Sequence, residues 1–455
     1  MRKFDLIVIG TGSGLDVANA AASSDMSVCI VEKGPLGGTC LNRGCIPSKI
    51  LIHSADLAMA IRRAADFGLQ VGEMKVDLDY ITSRASRIVD EDSRNIEHAF
   101  QHTDNPVLIK GEASFIDKKA LRVGRQEISA DKILIATGTR PQVPDVAGLK
   151  ESGYITSTEA LRLRTLPREL IVLGGGYIAA ELGHFFGALG SKVTIIHRHP
   201  VLLRREDGEI AAKFTEVFGR SHTVMVNSAP VAVKRMDGRV TVTVEDVVTK
   251  ARKEVAGDVL LVATGLVPNT DMLNLGVTDV KTDARGFIKV NELLETDAKG
   301  ISALGDVIGR YFYKHNANHE AQYVYWNLIL GRKVPVDYSA MPHAVFSYPQ
   351  VAGVGLTEEE CRAQGLHYAV GRNDYANSAM GLALQEQDGF VKLLVDHSSG
   401  KLLGGHIIGP EASILIHEVI VAMKSGNGSI SNIVRPIYIH PALSEVVSRA
   451  ASNVE

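Results

Sequence analysis

The stretch FDLIVIGTGSGL (residues 4–15) decides the fold. An apolar run from Leu6 to Ile9 passes directly into a turn with three glycines, and an alanine-rich segment follows. This order is typical of a buried strand, a tight turn and a helix. The next apolar run, SVCIVE (residues 27–32), ends on a carboxylate at Glu32. The stretch therefore predicts a strand–turn–helix–strand unit whose helix N-terminus binds the pyrophosphate of a dinucleotide.

The residues of the turn fit that interpretation. Gly10, Gly12, Ser13 and Gly14 form the turn, and Glu32 lies 22 residues after Gly10. Glycine lets the backbone approach a phosphate, and a carboxylate at the end of the second strand accepts hydrogen bonds from a ribose diol. The last small position of the usual pattern holds a leucine here. We therefore expect Gly14 to provide the close contact between helix and strand.

The chain repeats this plan in LIVLGGGYIAAELGHFFGALGSKVTIIHR (residues 170–198). Here the second strand ends in no acid and is followed by Arg198, His199 and Arg204. A ribose 2′-phosphate requires such an arrangement, because a carboxylate would repel it and a guanidinium pairs with it. A solvated basic turn is the alternative. The first unit thus suits a cofactor with free ribose hydroxyls, and the second suits NADPH.

Each copy is closed by an apolar strand that runs into Ala-Thr-Gly, in ILIATGTRP (residues 133–141) and VLLVATGLVPNT (residues 259–270). Beyond about residue 335 the pattern changes to alternating strands around glycines, followed by a helix, which is typical of an α+β domain. The sequence therefore predicts an α/β protein with two Rossmann-like dinucleotide-binding domains and a C-terminal α+β domain.

Size and composition narrow the function classes. The 455 residues are too many for one core and favour about three domains. A net charge of −3 and the lack of a long basic run argue against nucleic acid or an anionic membrane as a partner. No apolar run is long enough to cross a bilayer and no secretory leader precedes the first strand. Four cysteines do not make a disulfide framework, so we expect a cytoplasmic protein.

Two of the cysteines lie in GGTCLNRGCIPSK (residues 37–49). A zinc site needs more ligands than Cys40 and Cys45, and their spacing does not match a Cys-x-x-Cys knuckle, so we expect no metal. A structural disulfide is disfavoured, because closing so short a loop removes little entropy from the unfolded chain and would stabilise the fold only slightly. A redox-active disulfide fits best, since both cysteines are expected at the start of one helix, whose positive end favours a thiolate. We expect Cys29 to be an apolar strand residue and Cys361 to be a bystander on a helix.

The same stretch closely resembles the active-site signature of the flavoprotein disulfide reductases, among them glutathione reductase, dihydrolipoyl dehydrogenase, mercuric reductase and mycothione reductase. The resemblance covers nearly the whole chain. Besides the two glycine turns it includes, in the family's order, ISALGDVIG (residues 301–309), AVFSYPQVAGVGLTE (residues 344–358) and IHPALSE (residues 439–445). It implies FAD and NADPH as cofactors and a homodimer whose active site is shared across the interface.

The resemblance also implies how the chain works. Electrons from NADPH reach the disulfide by way of FAD, Cys45 becomes the charge-transfer thiolate, and Cys40 becomes the interchange thiol that attacks the substrate. Lys49 lies beside flavin N5, and Glu181 is its ion-pair partner. Tyr177 covers the flavin face until the nicotinamide arrives.

Two further residues complete the implied catalytic set. His440 takes a proton from the attacking thiol and returns it to the leaving one, and in this family it acts on the cysteines of the other subunit. Glu445 fixes the tautomer of this histidine. The residues expected to bind the two cofactors are Gly10, Gly12, Ser13, Gly14, Glu32, Lys33, Gly38, Thr39, Lys49, Thr137, Gly138, Asp306, Gly174, Gly176, Tyr177, Ile178, Arg198, His199, Arg204 and Gly265.

The motifs also divide the chain. We expect an FAD-binding domain in residues 1–148, an NADPH-binding domain in residues 149–270, a second part of the FAD-binding domain in residues 271–335, and an interface domain in residues 336–455. Asp306, in the second part of the FAD-binding domain, matches the family acid that binds the ribityl chain of the flavin.

Differences between family members favour one substrate class. The chain lacks the C-terminal cysteine pair of mercuric reductases, the NAD-binding acid of dihydrolipoyl dehydrogenases, and the first-helix arginine of glutathione reductase. Mycothione reductase is most similar, through GTGSG, the LLR turn and KHNANHEAQ (residues 314–322). We therefore expect NADPH-dependent reduction of a mycothione-like disulfide. The alternatives are a dihydrolipoyl dehydrogenase that uses lipoamide and NAD, a non-catalytic flavoprotein, and an NADPH oxidase or quinone reductase.

Overall fold

The computed structural model describes residues 1–454, and the chain divides into two compact units. The first unit consists of Met1–Ile50, Asp79–Gln142 and Gly265–Asp337. The second consists of Leu51–Leu78, Val143–Thr264 and the residues from Tyr338 onward. Within residues 1–454, no helix combines the length and the apolar character that crossing a membrane requires.

The chain contains 21 strands, several of them in long successive runs, and 13 α-helices within residues 1–454. In chain order the strands are β1 (Arg2–Ile9), β2 (Val28–Glu32), β3 (Val107–Lys110), β4 (Ala113–Asp117), β5 (Ala120–Val123), β6 (Gln126–Ile135), β7 (Thr139–Pro141), β8 (Glu169–Leu173), β9 (Lys192–Ile196), β10 (Thr223–Met225), β11 (Ser228–Met236), β12 (Arg239–Asp246), β13 (Arg252–Gly257), β14 (Val259–Val262), β15 (Leu266–Pro268), β16 (Ile301–Ala303), β17 (Pro342–Val345), β18 (Val351–Gly355), β19 (Tyr368–Asp374), β20 (Phe390–Asp396) and β21 (Leu402–Ile408). The α-helices are α1 (Gly14–Ala22), α2 (Gly38–Arg43), α3 (Cys45–Arg63), α4 (Leu78–Gln101), α5 (Ser157–Ala160), α6 (Tyr177–Leu189), α7 (Gly208–Gly219), α8 (Lys314–Val324), α9 (Glu358–Ala363), α10 (Ala379–Ala383), α11 (Ala412–Lys424), α12 (Ser431–Val434) and α13 (Ser444–Ser452).

A seven-stranded sheet forms the centre of the first unit. Its order is β3-β2-β1-β6-β5-β4, and β16 also pairs with β6. The strands β3, β2, β1, β6 and β16 run parallel, whereas β4 and β5 pair antiparallel at one edge. The parallel part places the ends of β1, β2 and β16 at the same edge of the sheet, where the turn after each strand can bind a ligand.

Strand β1 is buried on both faces. Ile7 and Ile9 pack into one core, whereas Leu6 and Val8 pack into a second core that includes α1 and α8. Burying such a side chain contributes roughly 1.5–3 kcal/mol. The continuous apolar run in the sequence therefore reflects a parallel strand that is covered by side chains on either side.

The second unit contains three sheets. A parallel sheet of order β10-β9-β8-β14 repeats the strand–turn–helix–strand plan through β8, α6 and β9, and an antiparallel sheet β11-β12-β13 accompanies it. The C-terminal part has a five-stranded antiparallel sheet of order β17-β18-β21-β20-β19. The α/β repeat and the C-terminal α+β part agree with the fold predicted from the sequence.

Two glycine positions bring the first turn and the following helix together. A Cβ on Gly14 would lie 2.9 Å from Val8 Cγ1, so the close contact between α1 and β1 is made at this residue, as expected. Gly38, the first residue of α2, has φ +67°, and a Cβ there would lie 2.7 Å from Gly12 Cα. The N-terminus of α2 therefore packs directly on the glycine turn that follows β1.

We expect Gly38→Ala to lower the free energy of unfolding by about 1–3 kcal/mol, because the new methyl group meets backbone and the conformation is left-handed. Gly124→Ala is the matched control, since it also has a positive φ (+58°) but nothing lies within 4 Å of its Cβ position. Urea denaturation of both variants measures the difference. Equal losses in the two variants would contradict the close packing of Gly38 on Gly12.

Candidate active site

The turn after β1 leaves space for a phosphate. Nothing lies within 4 Å of the position of a Cβ on Gly12. Ser13 Oγ donates a hydrogen bond to Asn318 Oδ1 (2.8 Å) and accepts one from Lys314 Nζ (2.9 Å). Gly10 has φ +105°, which lets the chain turn sharply at the end of β1. The open turn, the N-terminus of α1 and the nearby ammonium group together fit a dinucleotide pyrophosphate.

The carboxylate that ends β2 is held in place by the same turn. Glu32 Oε2 accepts hydrogen bonds from Thr11 N (3.0 Å) and Thr11 Oγ1 (2.8 Å), and Oε1 accepts one from Gly34 N (2.7 Å). Oε1 has a further lone pair, so Glu32 can still accept a hydrogen bond from a ribose hydroxyl. The neighbouring Lys33 is exposed, and its Nζ lies 3.6 Å from Glu112 Oε2.

Asp306 is a half-buried carboxyl in the same unit. It lies in the short 3-10 turn after β16, and its Oδ2 accepts a hydrogen bond from Thr139 Oγ1 (2.9 Å). Burial raises the pKa of Asp306 to about 6, the charge of Glu320 acts in the same direction, and the bond from Thr139 opposes both. A half-buried acceptor of this kind gains a partner when a polyhydroxyl chain binds, which fits the ribityl chain of a flavin.

Other residues expected at the cofactors lie around the crossing from β6 to β7. Thr137 Oγ1 donates to Asn269 O (3.0 Å), and Asn269 Nδ2 donates to Thr137 O (2.9 Å). Gly138 O accepts from Asn269 N (3.0 Å), and Gly265 O accepts from Gln142 N (2.8 Å). These bonds hold residues 137–142 against residues 265–269. Both segments, including Gly265, belong to the first unit.

The two cysteines lie on different helices. Cys40 lies inside α2, and Cys45 is the first residue of α3. The sequence predicted both at the start of one helix, and this is wrong because Gly44 leaves helical geometry (φ −142°, ψ −119°). A Cβ at Gly44 would lie 2.9 Å from Thr39 O, so the sharp break requires glycine. Thr39 itself is exposed.

The environment of Cys40 favours a thiolate. The hydrogen bond from the Cys45 thiol lowers the pKa of Cys40 to about 7, with smaller contributions from the charges of Lys314 and Lys49, whereas burial acts against them. Cys29, buried in β2, is the opposite case, since burial raises its pKa to about 12. Of these thiols, Cys40 has the properties of a nucleophile at neutral pH.

The second glycine turn repeats the first. Gly174 follows β8, Gly176 caps α6, and nothing lies within 4 Å of a Cβ on Gly176. Tyr177 and Ile178 begin α6 and are half-buried. An open glycine turn before a helix of 13 residues fits the pyrophosphate of a second dinucleotide.

The structure brings the basic residues after β9 close to one another. Arg198 Nε lies 3.3 Å from His199 Nε2. Burial lowers the pKa of His199, and the charges of Arg204 and Arg198 lower it further, so both guanidinium groups lie near this ring. Both arginines are exposed. Two exposed guanidinium groups beside an open phosphate turn fit a ribose 2′-phosphate.

Sequence reasoning missed His197, which occupies the place that Glu32 has in the first unit. Ile9 pairs with Val31 in the first sheet, and Leu173 pairs with Ile196 in the second, so the next residues correspond. The ring of His197 also lies against the second glycine turn, 2.5 Å from where a Cβ on residue 175 would be. Burial lowers its pKa to about 4, so the ring is neutral. The spacing of 22 residues between Gly10 and Glu32, counted from Gly174, leads to residue 196, because the second strand–turn–helix–strand repeat is one residue longer. Only the strand register identifies His197 as the counterpart of Glu32.

Lys49 and Glu181 lie in different units, and their predicted ion pair stays a prediction. Lys49 Nζ donates to Ser48 Oγ (3.4 Å) in the first turn of α3. Glu181 is buried in α6, and its Oε1 accepts a hydrogen bond from Phe346 N (3.1 Å).

The structure brings His440 and Glu445 together. His440 Nδ1 lies 3.0 Å from Glu445 Oε1, and Glu445 Oε2 accepts from Ala442 N (3.2 Å). The bond from His440 lowers the pKa of Glu445. The His440 side chain is 67% exposed. Because Nδ1 is turned to the carboxylate, Nε2 is the ring nitrogen that can exchange a proton with a substrate.

We expect iodoacetamide to alkylate Cys40 in the reduced protein with a midpoint near its pKa of about 7. The thiolate is the reactive form, so the rate rises as the pH passes through this value. Cys45→Ala removes the hydrogen bond and should move the midpoint toward the ordinary value of about 8.5. Peptide mapping of alkylated Cys40 gives the rates, and Cys361→Ala serves as the control that leaves the midpoint unchanged. A midpoint near 8.5 in the unsubstituted protein would refute this assignment.

Asp306→Asn should weaken flavin binding and yet stabilise the flavin-free protein at pH 8. Because the native pKa is about 6, above the ordinary value of 3.8, ionisation of Asp306 makes the native state less stable as the pH rises through this window. The difference is on the order of 3 kcal/mol at pH 8. Thermal unfolding of the flavin-free protein and flavin titration measure the two effects, with the exposed Asp104→Asn as control. Lower stability of the flavin-free variant at pH 8 would contradict the argument.

Comparison with known proteins shows the family to which the chain belongs. Residues 4–322 match the family of pyridine nucleotide-disulphide oxidoreductases, and residues 341–451 match the dimerisation domain of the same family. A mycothione reductase of Mycobacterium tuberculosis is 36% identical in an alignment of 468 positions that covers 99% of each chain. A dihydrolipoyl dehydrogenase of Chlorobaculum parvum is 35% identical in an alignment of 460 positions that covers 99% of this chain and 96% of that protein.

A solved structure shows the same fold. The Cu(II) complex of the HOCl-induced flavoprotein disulfide reductase RclA from Escherichia coli has a TM-score of 0.88 and 28% sequence identity, and the match covers 99% of each chain. The predicted enzyme class, the FAD and NAD(P)H cofactors and the fold are thereby confirmed, and the matched dimerisation domain supports a homodimer. The chain belongs to the pyridine nucleotide-disulphide oxidoreductase family and is a flavoprotein disulfide reductase.

Proposed function

We propose that the protein is an NADPH-dependent FAD enzyme that reduces the disulfide of a low-molecular-weight thiol of the mycothione type. The observation that carries the proposal is the pair of Cys40 and Cys45, in which a half-buried thiol has a pKa of about 7 beside an exposed second thiol. The 36% identity to mycothione reductase supports the substrate class. The two exposed arginines after β9, with His197 in place of an acid, support NADPH.

The dithiol form of the pair can complete the reaction. The Cys40 thiolate attacks one sulfur of the substrate disulfide, a mixed disulfide forms, and the first product thiol leaves with a proton from His440. Cys45 Sγ then gives its proton to His440 and attacks Cys40 Sγ, which closes the Cys40–Cys45 disulfide, and the second product leaves as a thiol when His440 returns that proton. One disulfide is reduced and one is formed, so two electrons must return to the protein in each cycle.

The residues that would hold the cofactors follow from the two turns. The FAD site would consist of the turn after β1, Glu32, the N-terminus of α2 and Asp306, with Lys49 and Glu181 beside the flavin ring. The NADPH site would consist of the turn after β8 and the arginines after β9. When bound, FAD supplies the two-electron chemistry that links the nicotinamide with the disulfide.

The proposal includes a shared active site and the domain division. His440 and Glu445 would serve the cysteine pair of the partner subunit, which is supported by the matched dimerisation domain and the exposed ring of His440. The FAD-binding domain would consist of residues 1–148 and 271–335. Residues 149–270 would bind NADPH, and residues 336–455 would form the dimer interface. A cytoplasmic location belongs to the proposal too, because a pair that must cycle through the dithiol form needs a reducing compartment.

A second candidate function is that of a dihydrolipoyl dehydrogenase. It is favoured by the 35% identity to that enzyme over nearly the whole chain. It would use NAD and run from dihydrolipoamide toward the disulfide.

A panel of oxidised thiols tests the proposal, with mycothione, glutathione disulfide, bis-γ-glutamylcystine, coenzyme A disulfide and lipoamide as substrates and NADPH or NADH as reductant. We expect kcat/KM for mycothione with NADPH to exceed the other values by at least tenfold. Cys40→Ser should abolish disulfide turnover, and Cys361→Ser is the matched control that retains it. Fastest turnover of lipoamide together with a preference for NADH would favour the dihydrolipoyl dehydrogenase instead.

A further inference from the structure

The short segment that carries Arg204 is fixed at both ends. Before the arginine, Leu203 N donates a hydrogen bond to Gly175 O (2.8 Å), which attaches the segment to the second glycine turn. After it, Glu206 and Asp207 turn away from solvent, and α7 begins at Gly208. The guanidinium is therefore carried by a backbone that has little freedom on either side.

Glu206 is held by a histidine of the five-stranded sheet. Its Oε2 lies 2.6 Å from His343 Nε2, and the two side chains are only 8% and 21% exposed. Burial acts to lower the pKa of His343, but the charge of Glu206 and the hydrogen bond outweigh it, so that the pKa lies above its ordinary value. The contact is therefore a charged hydrogen bond shielded from water, stronger than an exposed ion pair.

The same end of the segment has a second attachment. Asp207 is fully buried, caps α7 and accepts hydrogen bonds from Lys392 Nζ (2.9 Å) and Glu358 N (3.0 Å). Lys392 is itself 3% exposed and lies in β20 of the same sheet as His343. Two neighbouring carboxylates thus bind one sheet, and the first of them is only two residues from Arg204.

We propose that Glu206, held by His343, is a positioning residue that aims Arg204 at the ribose 2′-phosphate of the coenzyme. This inference rests on the proposed use of NADPH. The expected change in phosphate binding is opposite in direction to the one that charge repulsion alone would give. A carboxylate near an anion site repels the anion, so removing its charge should by itself strengthen phosphate binding. If Glu206 instead works by fixing the segment, its removal weakens binding, because Arg204 must then be ordered when the ligand binds.

The test uses the FAD-loaded enzyme and two probes, adenosine 2′,5′-bisphosphate and 5′-AMP, which differ only in the 2′-phosphate. We expect Glu206→Gln to raise the calorimetric Kd of the bisphosphate about tenfold and to leave the Kd of 5′-AMP unchanged. The KM for NADPH should rise by a similar factor, with kcat and the KM for NADH unaltered. Glu216→Gln is the control, since it removes the same charge farther along α7, where the carboxylate is 55% exposed and pairs with Lys213 and Arg220.

A second variant approaches the contact from the other side. His343→Asn should raise the Kd of the bisphosphate by a similar factor. The double variant should lose no more affinity than either single variant, because both changes break the same bond. Unchanged or tighter binding of the bisphosphate by Glu206→Gln overturns the proposal, and so does an equal loss of 5′-AMP, which would mark general damage. If the unsubstituted enzyme does not bind the bisphosphate more tightly than 5′-AMP, the NADPH proposal is refuted, and the positioning role that rests on it is refuted as well. A preference that Glu206→Gln leaves intact refutes the positioning role alone.

Discussion

The contact between Gly12 and Gly38 is the constraint on which the rest of the first unit depends. A Cβ on Gly38 would lie 2.7 Å from Gly12 Cα, so two backbone segments touch where the chain must also leave room for a phosphate. The contact places the first residue of α2 on the turn after β1, and Cys40 follows two residues later. One backbone approach thus sets both the dinucleotide turn and the position of the nucleophilic thiol. A side chain on Gly38 would force these two backbone segments apart, whereas Gly12 leaves the space that a phosphate needs.

Electrostatics then distinguishes cysteines that are chemically identical. Cys40 has a second thiol as hydrogen-bond donor and two ammonium groups nearby, and its pKa is about 7. Cys29 is surrounded by the apolar side chains of a parallel sheet, and burial raises its pKa to about 12. Cys361 is also buried, and both burial and the neighbouring carboxylates raise its pKa. The reactivity of each thiol therefore comes from what the fold places around it.

The second unit has the same kind of glycine turn but different charges beside it. In the first unit the residue after the paired strand end is Glu32, which accepts hydrogen bonds from Thr11. In the second it is His197, a neutral ring packed on the glycine turn, and positive charge is supplied by the arginines that follow. An acid suits two hydroxyl donors, and its replacement by a neutral group suits a phosphate. Buried carboxylates such as Asp207 then attach this basic segment to the sheet of the C-terminal part.

Much of this organisation was accessible from local patterns. Apolar runs that end in glycine turns act over about ten residues, so the sequence determined both strand–turn–helix–strand units, the family and the redox pair. The structure alone decided three other features, because each depends on residues that are distant in the chain or on backbone geometry. Gly44 breaks the helix and puts the two cysteines on separate elements; strand register, rather than residue counting, identifies His197 as the counterpart of Glu32; and His343, 137 positions beyond Glu206, becomes its partner. Periodicity carries no information about such pairings, since they arise only when sheets and turns pack against each other.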